Sequence, residues 1–189
     1  MVIVFVRKIE NISDAEKQNI ISSLSSSALK RLESKRNKGL YNASLCALSL
    51  LSDVQRADLC YTESGRPFFK NLNADISISH SRTYSAVAIS EDKNESVGID
   101  IEEAQSNKIS IRFLTENEQI SLENGTPYLK IWTKKEALFK YLKNDNLSLI
   151  SLDSTAPELH GAKFITLPVG DNILTACTER GTIMKIIEK

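Results

Sequence analysis

Two carboxylates stand two residues apart in "VGIDIE", Val97 to Glu102, and what they can do depends on which way they point. Alternate side chains of a β-strand share a face, so Val97, Ile99 and Ile101 line one side while Gly98, Asp100 and Glu102 line the other. Like charges placed that way repel, and inside a fold each is costly unless something positive compensates it. A third acid, Glu136, lies in "WTKKEALFK", Trp132 to Lys140, where Trp132, Glu136 and Lys140 are spaced i, i+4, i+8 and share a helical face. Taken alone, Glu136 and Lys140 read as a surface ion pair. Together with the acidic strand face, they suit a hard cation. Mg²⁺ prefers oxygen ligands and is commonly held by one or two carboxylates plus a substrate phosphate. If a cation is what compensates Asp100 and Glu102, the metal-free protein holds them in unrelieved repulsion. Asp100→Asn should then leave its melting temperature unchanged or raised.

A phosphate ligand needs donors. The sequence has no GxxxxGK[ST] loop, so the grip falls to side chains and ordinary backbone amides. His80, Lys140, Arg66 and the basic run from Lys30 to Lys38 are available. His80 also reads as a strand-end histidine bonded to nearby backbone, and the basic run as a solvated helix face.

The elements that must position these residues follow from local pattern. "MVIVFV" reads as a strand, and Ser13 with Glu16 three residues on reads as a capping box opening a helix near Asp14. Residues 28–53 read as one or two helices with a break at Gly39. "RPFFK", "DISIS" and "YSAVAIS" read as strands before the acidic one. "KISIRFLTENEQISLENG" reads as a helix interrupted around Thr115, and Pro127 to Lys143 as the strongest helix, with Pro127 at its first position and Asn144 and Asp145 ending it. "KFITLPV", "NILTACTE" and "TIMKIIE" read as three closing strands. Each half is thus a long helix followed by three strands. The fold class expected is α+β with two similar lobes, 1–94 and 95–189.

With 24 basic and 24 acidic residues among 189, the formal net charge is zero, which argues against a nucleic-acid or membrane-surface partner. Cys46, Cys60 and Cys177 are odd in number and lack metal-ligand spacing, which points to a reducing cytoplasm rather than a disulfide framework. The opening apolar run is too short for a signal-peptide core.

Assembled in order, four motifs resemble those of the 4'-phosphopantetheinyl transferases, which move the phosphopantetheine arm of coenzyme A onto a carrier-protein serine. "GRP" at Gly65 to Pro67 resembles the family's Gly-Lys/Arg-Pro turn, and "ISISHS" at Ile76 to Ser81 its Ser-His strand end. "VGIDIE" is similar to its Gly-x-Asp-x-Glu strand, and "WTKKEALFK" to its Trp-x-x-Lys-Glu-Ala/Ser-x-x-x-Lys helix. "RFLTENE" and "LSLISLDS" extend the similarity over residues 61–154. Length and motif order resemble the two-lobed class typified by the surfactin-synthetase activator, in which coenzyme A lies between the lobes.

The resemblance implies Mg²⁺, with Mn²⁺ as an alternative, on Asp100, Glu102 and Glu136. It implies that Lys140 and His80 touch the pyrophosphate, that Lys135 supports the same site, and that Arg66 and Ser79 help hold the nucleotide end. Lys38 is the nearest counterpart of an arginine that longer members carry before the GRP turn. Glu136 and Lys140 would be catalytic. The partners implied are coenzyme A and an apo acyl or peptidyl carrier protein, served by a monomer. A homologue that binds these partners without transfer, and an unrelated Mg²⁺-dependent phosphotransfer enzyme, are the competing readings.

Overall fold

The computed structural model describes residues 1–36, 40–104, 111–179 and 184–189. Lys38 and Gly39, and the first residues of the stretch expected to be helical from Lys108, lie outside them.

Strand β1 (Val2–Lys8) alternates as its sequence dictates: Val2, Val4 and Val6 are buried, and Phe5 packs on the opposite side. Helix α1 (Asp14–Ser23) starts at Ser13, whose side chain accepts the Glu16 amide. It is followed by α2 (Ser26–Glu33), α3 (Tyr41–Ser49) and α4 (Asp53–Asp58). Strands β2 (Leu59–Tyr61) and β3 (Pro67–Phe69) form a hairpin whose tip is the GRP turn. Then come β4 (Asp75–His80), β5 (Tyr84–Ser90) and β6 (Val97–Glu103). Helix α5 (Glu116–Glu123) opens on a complete capping box between Thr115 and Glu118, so the interruption expected at Thr115 is a helix start. Helix α6 spans Tyr128–Leu142, with Pro127 just outside it and Lys143 in the left-handed region, φ 51°, at its end. Strands β7 (Ala162–Val169), β8 (Asn172–Glu179) and β9 (Met184–Glu188) close the chain.

Three sheets result, ordered β4-β5-β1-β9, β2-β3 and β6-β8-β7. The two larger ones stack. Val2, Val4, Val6, Ala86 and Ala88 of the first pack on Val97, Ile99, Ile101, Leu174 and Ala176 of the second. The outer face of the first carries the N-terminal helices through Val87 and Ile89 against Leu32, Leu45 and Leu48. The outer face of the second carries α6 through Ala137, Leu138 and Tyr141 against Cys177 and Ala162. A mixed α+β fold follows from burying both faces of both sheets. One strand departs from the expected division at residue 94: β9 adds to the N-terminal sheet, in parallel with β1, instead of closing the C-terminal one. Among the described residues, no helix is long and apolar enough to cross a membrane.

Candidate active site

The acidic face of β6 is presented to α6 because Gly98 lets the two backbones touch. A Cβ on Gly98 would lie 2.0 Å from the Ala137 carbonyl oxygen and 2.6 Å from the Tyr141 amide nitrogen. The bare α-carbon therefore sets the spacing of strand and helix, and with it the approach of Asp100 and Glu102 to Glu136 and Lys140.

On its free edge β6 meets β4, the edge strand of the other sheet. The alternate polar residues of β4 reach across: Asp75 Oδ2 accepts the Val97 amide at 2.9 Å, Ser77 Oγ accepts the Ile99 amide at 3.1 Å, and Ser79 Oγ donates to Asp100 Oδ1 at 2.8 Å. Asp75 Oδ1 also pairs with Lys143 Nζ at 2.7 Å, tying in the end of α6. Side chains thus satisfy amides that a neighbouring strand would otherwise take.

Lys140 compensates Asp100. Its Nζ donates to Asp100 Oδ1 at 2.7 Å, to the Ile99 carbonyl at 3.0 Å and to Ser79 Oγ at 3.2 Å. The expected unrelieved repulsion is thereby corrected: Asp100 has a positive partner, and that partner is the lysine expected beside Glu136. Asp100 Oδ2 is buried and has no hydrogen-bond partner among the described residues. Burial, then the Asp100 charge and that of Glu136, push the Glu102 carboxyl up to about 7 against the pull of Lys140 and the Trp132 indole. Burial and the Asp100 charge likewise raise Glu136, while Lys140 lowers it. Three carboxylates therefore act on one another around one ammonium group.

No three His, Cys, Asp or Glu side chains among the described residues converge into a ready metal cage. The donor set still fits Mg²⁺. That ion takes hard oxygen ligands and needs only one or two carboxylates when a substrate phosphate and waters complete its shell, and Asp100 offers a buried oxygen, Oδ2, that has no partner among the described residues.

From Lys140 a groove runs toward the N-terminal helices. One section of about 260 Å³ is lined by Arg31, Lys35, Tyr61, Gly65, His80 and Lys140. The adjoining cleft of about 300 Å³ lies between the GRP turn, β4 and the end of α6, with Arg66, Phe139, Lys140 and Lys143 on its walls. Burial, then the Lys35 and Lys140 charges, lower His80. Burial and the Arg31 charge lower Lys35. This crowding of cations is what an anionic ligand relieves. Gly65, at φ +87°, has its α-carbon so near Arg31 that a Cβ would lie 2.6 Å from the guanidinium.

From the basic run, Arg31 and Lys35 line the groove, while Lys38 lies outside the described residues. Ser79 lines the same section of the groove and bonds to both Asp100 and Lys140. Arg66 lines the cleft and pairs with Asp145 at 3.2 Å.

Lys135 is not brought to the groove: it is wholly buried, bonded to Glu118 Oε2 at 2.6 Å and to the Leu152 carbonyl. Glu118 in turn accepts the Thr115 amide at 2.9 Å, the Ser154 amide at 2.9 Å and the Ser154 hydroxyl at 2.7 Å. This knot anchors α6 to α5 and the loop before β7.

Residues 96–182, which span β6, both following helices and β8, match the sequence model of the 4'-phosphopantetheinyl transferase superfamily. The chain contains a 4'-phosphopantetheinyl transferase superfamily domain. That domain holds Asp100, Glu102, Glu136 and Lys140, whereas Arg31, Lys35, Arg66 and His80 come from the part preceding it. No curated protein matches the chain significantly.

Proposed function

We propose that this protein transfers the 4'-phosphopantetheine group of coenzyme A to a serine of an apo carrier protein with the help of Mg²⁺. The observation that carries the reading is a groove lined by Lys140, His80, Lys35 and Arg31, two of whose lining residues, Ser79 and Lys140, are bonded to Asp100, whose charge acts on Glu102 and Glu136. A ligand that is polyanionic at one end and elongated fits such a lining. The two sheets with their helices serve as two lobes sharing the groove, and the molecule acts as a monomer.

The serine hydroxyl oxygen attacks the β-phosphorus of coenzyme A, the bond from that phosphorus to the bridging oxygen breaks, and adenosine 3',5'-bisphosphate leaves. Such a reaction depends on positioning and charge neutralisation. Asp100, Glu102 and Glu136 are the residues that would hold Mg²⁺, which when bound neutralises phosphate charge. Lys140 steadies the charge that develops on the leaving phosphate. His80, Lys35, Arg31 and Arg66 fix the nucleotide's phosphates. Glu136, whose carboxyl burial and the Asp100 charge raise while Lys140 lowers it, is the candidate to take the proton of the attacking hydroxyl.

The test is incubation with coenzyme A, Mg²⁺ and an apo carrier protein. The expected result is a gain in carrier mass equal to the phosphopantetheine group, abolished by EDTA and by Glu136→Gln. One observation favours a second reading, binding without transfer: the ammonium of Lys140 sits on Asp100. Coenzyme A binding in calorimetry with no mass gain on acyl or peptidyl carriers would establish that reading instead.

A further inference from the structure

We infer that Lys140 is a displaceable counter-cation, its ammonium group occupying Asp100 until the pyrophosphate of coenzyme A draws it into the groove, so that metal and coenzyme A bind as a coupled pair. The inference deepens the reading above and rests on it. An ammonium has three hydrogens, and those of Lys140 are committed to Asp100 Oδ1, the Ile99 carbonyl and Ser79 Oγ. It can serve a phosphate only by giving up one of these acceptors. A divalent cation approaching Oδ2 of Asp100 meets like charge on the same carboxylate, since Nζ lies 2.7 Å from Oδ1 and Asp100 is 4% exposed.

Lys140 also has somewhere to go. Its side chain is 28% exposed and borders both sections of the groove. Its four-carbon stem therefore reaches two sites, one on the carboxylate and one among the cations that await an anion. An anion in the groove pulls the ammonium off Asp100, and a divalent cation at Asp100 drives it the same way. Each ligand then favours the other by the same factor.

Mn²⁺ is the probe, its free concentration read by electron paramagnetic resonance in titrations of the metal-stripped protein without coenzyme A. Lys140→Gln should tighten Mn²⁺ by roughly tenfold or more, because it removes the competing charge from Asp100 itself. Lys143→Gln removes a charge from the same helix that touches Asp75 and not Asp100, and should change Mn²⁺ affinity by less than about threefold, as expected for a screened charge. With unmodified protein, coenzyme A should tighten Mn²⁺, and Lys140→Gln should reduce that gain.

Equal effects of the two substitutions, or unchanged or weaker Mn²⁺ binding to Lys140→Gln, would overturn the inference. Should that variant fail to fold, Ser79→Ala loosens the ammonium by removing one acceptor and should itself tighten Mn²⁺; no change there overturns the inference equally. The Mn²⁺ titration needs no turnover, so a protein that modifies no carrier yet shows the Lys140 effect refutes transfer and supports the counter-cation.

Discussion

At the scale of single residues, the decisive fact is which charge faces which. Asp100→Asn keeps the Ser79 contact but leaves the Lys140 ammonium against a neutral amide, so the metal-stripped variant should be less stable by about 1 to 3 kcal/mol in urea unfolding. This reverses the outcome expected from the strand alone, where the partner of Asp100 could not be seen. Glu102 supplies a pH dependence. Its carboxyl is raised from 4.5 to about 7, so the folded protein holds that proton more tightly than the unfolded chain does. Stability from this group is complete below 4.5 and is lost as the pH rises through 7. Melting temperatures in EDTA should decline over that window, and Glu102→Gln should flatten the decline. The identities of the acids and of Lys140 were legible from type and spacing. The surroundings of Lys135 were not, because its partner Glu118 lies 17 positions away on another helix and helical spacing reports only same-helix neighbours.

At the scale of elements, the strand β6 and the helix α6 act as one unit because Gly98 admits no side chain between them. Gly98→Ala places a methyl group 2.0 Å from a backbone oxygen that cannot rotate away. The variant should lose at least about 3 kcal/mol in chemical denaturation, with carrier modification falling as the carboxylates separate from Lys140. Alternation made β1 readable, and short apolar, β-branched runs bounded by polar turns made β4, β5 and β6 readable although most of their residues are buried. Helix α4 and strand β2 went unread: six and three residues are too few for a period to show, and their order comes from tertiary packing of Arg56 and Leu59. The strand "TIMKIIE" was anticipated as a strand but not its destination, because periodicity says that a segment is extended and is silent about which edge it joins.

At the scale of the whole molecule, the two large sheets share a core and a polar seam, and the groove takes residues from both. We therefore expect one cooperative unfolding transition, coincident by near-ultraviolet and far-ultraviolet circular dichroism, and light scattering near 21.1 kDa. Asp75→Ala, which frees both Lys143 and the Val97 amide, should lower the midpoint without splitting the transition; two separated transitions would refute the shared core.

The parallel pairing of β1 with β9 has a bearing on biosynthesis. Val2 leaves the ribosome long before its partner Met184 is made. Until then β1 has β5 on one side and an open edge on the other, so the nascent chain carries a sticky strand while all the residues between β5 and β9 are made. The polypeptide is thus expected to occupy a holdase chaperone during synthesis and to complete its first sheet only once β9 has emerged, however early the N-terminal helices form.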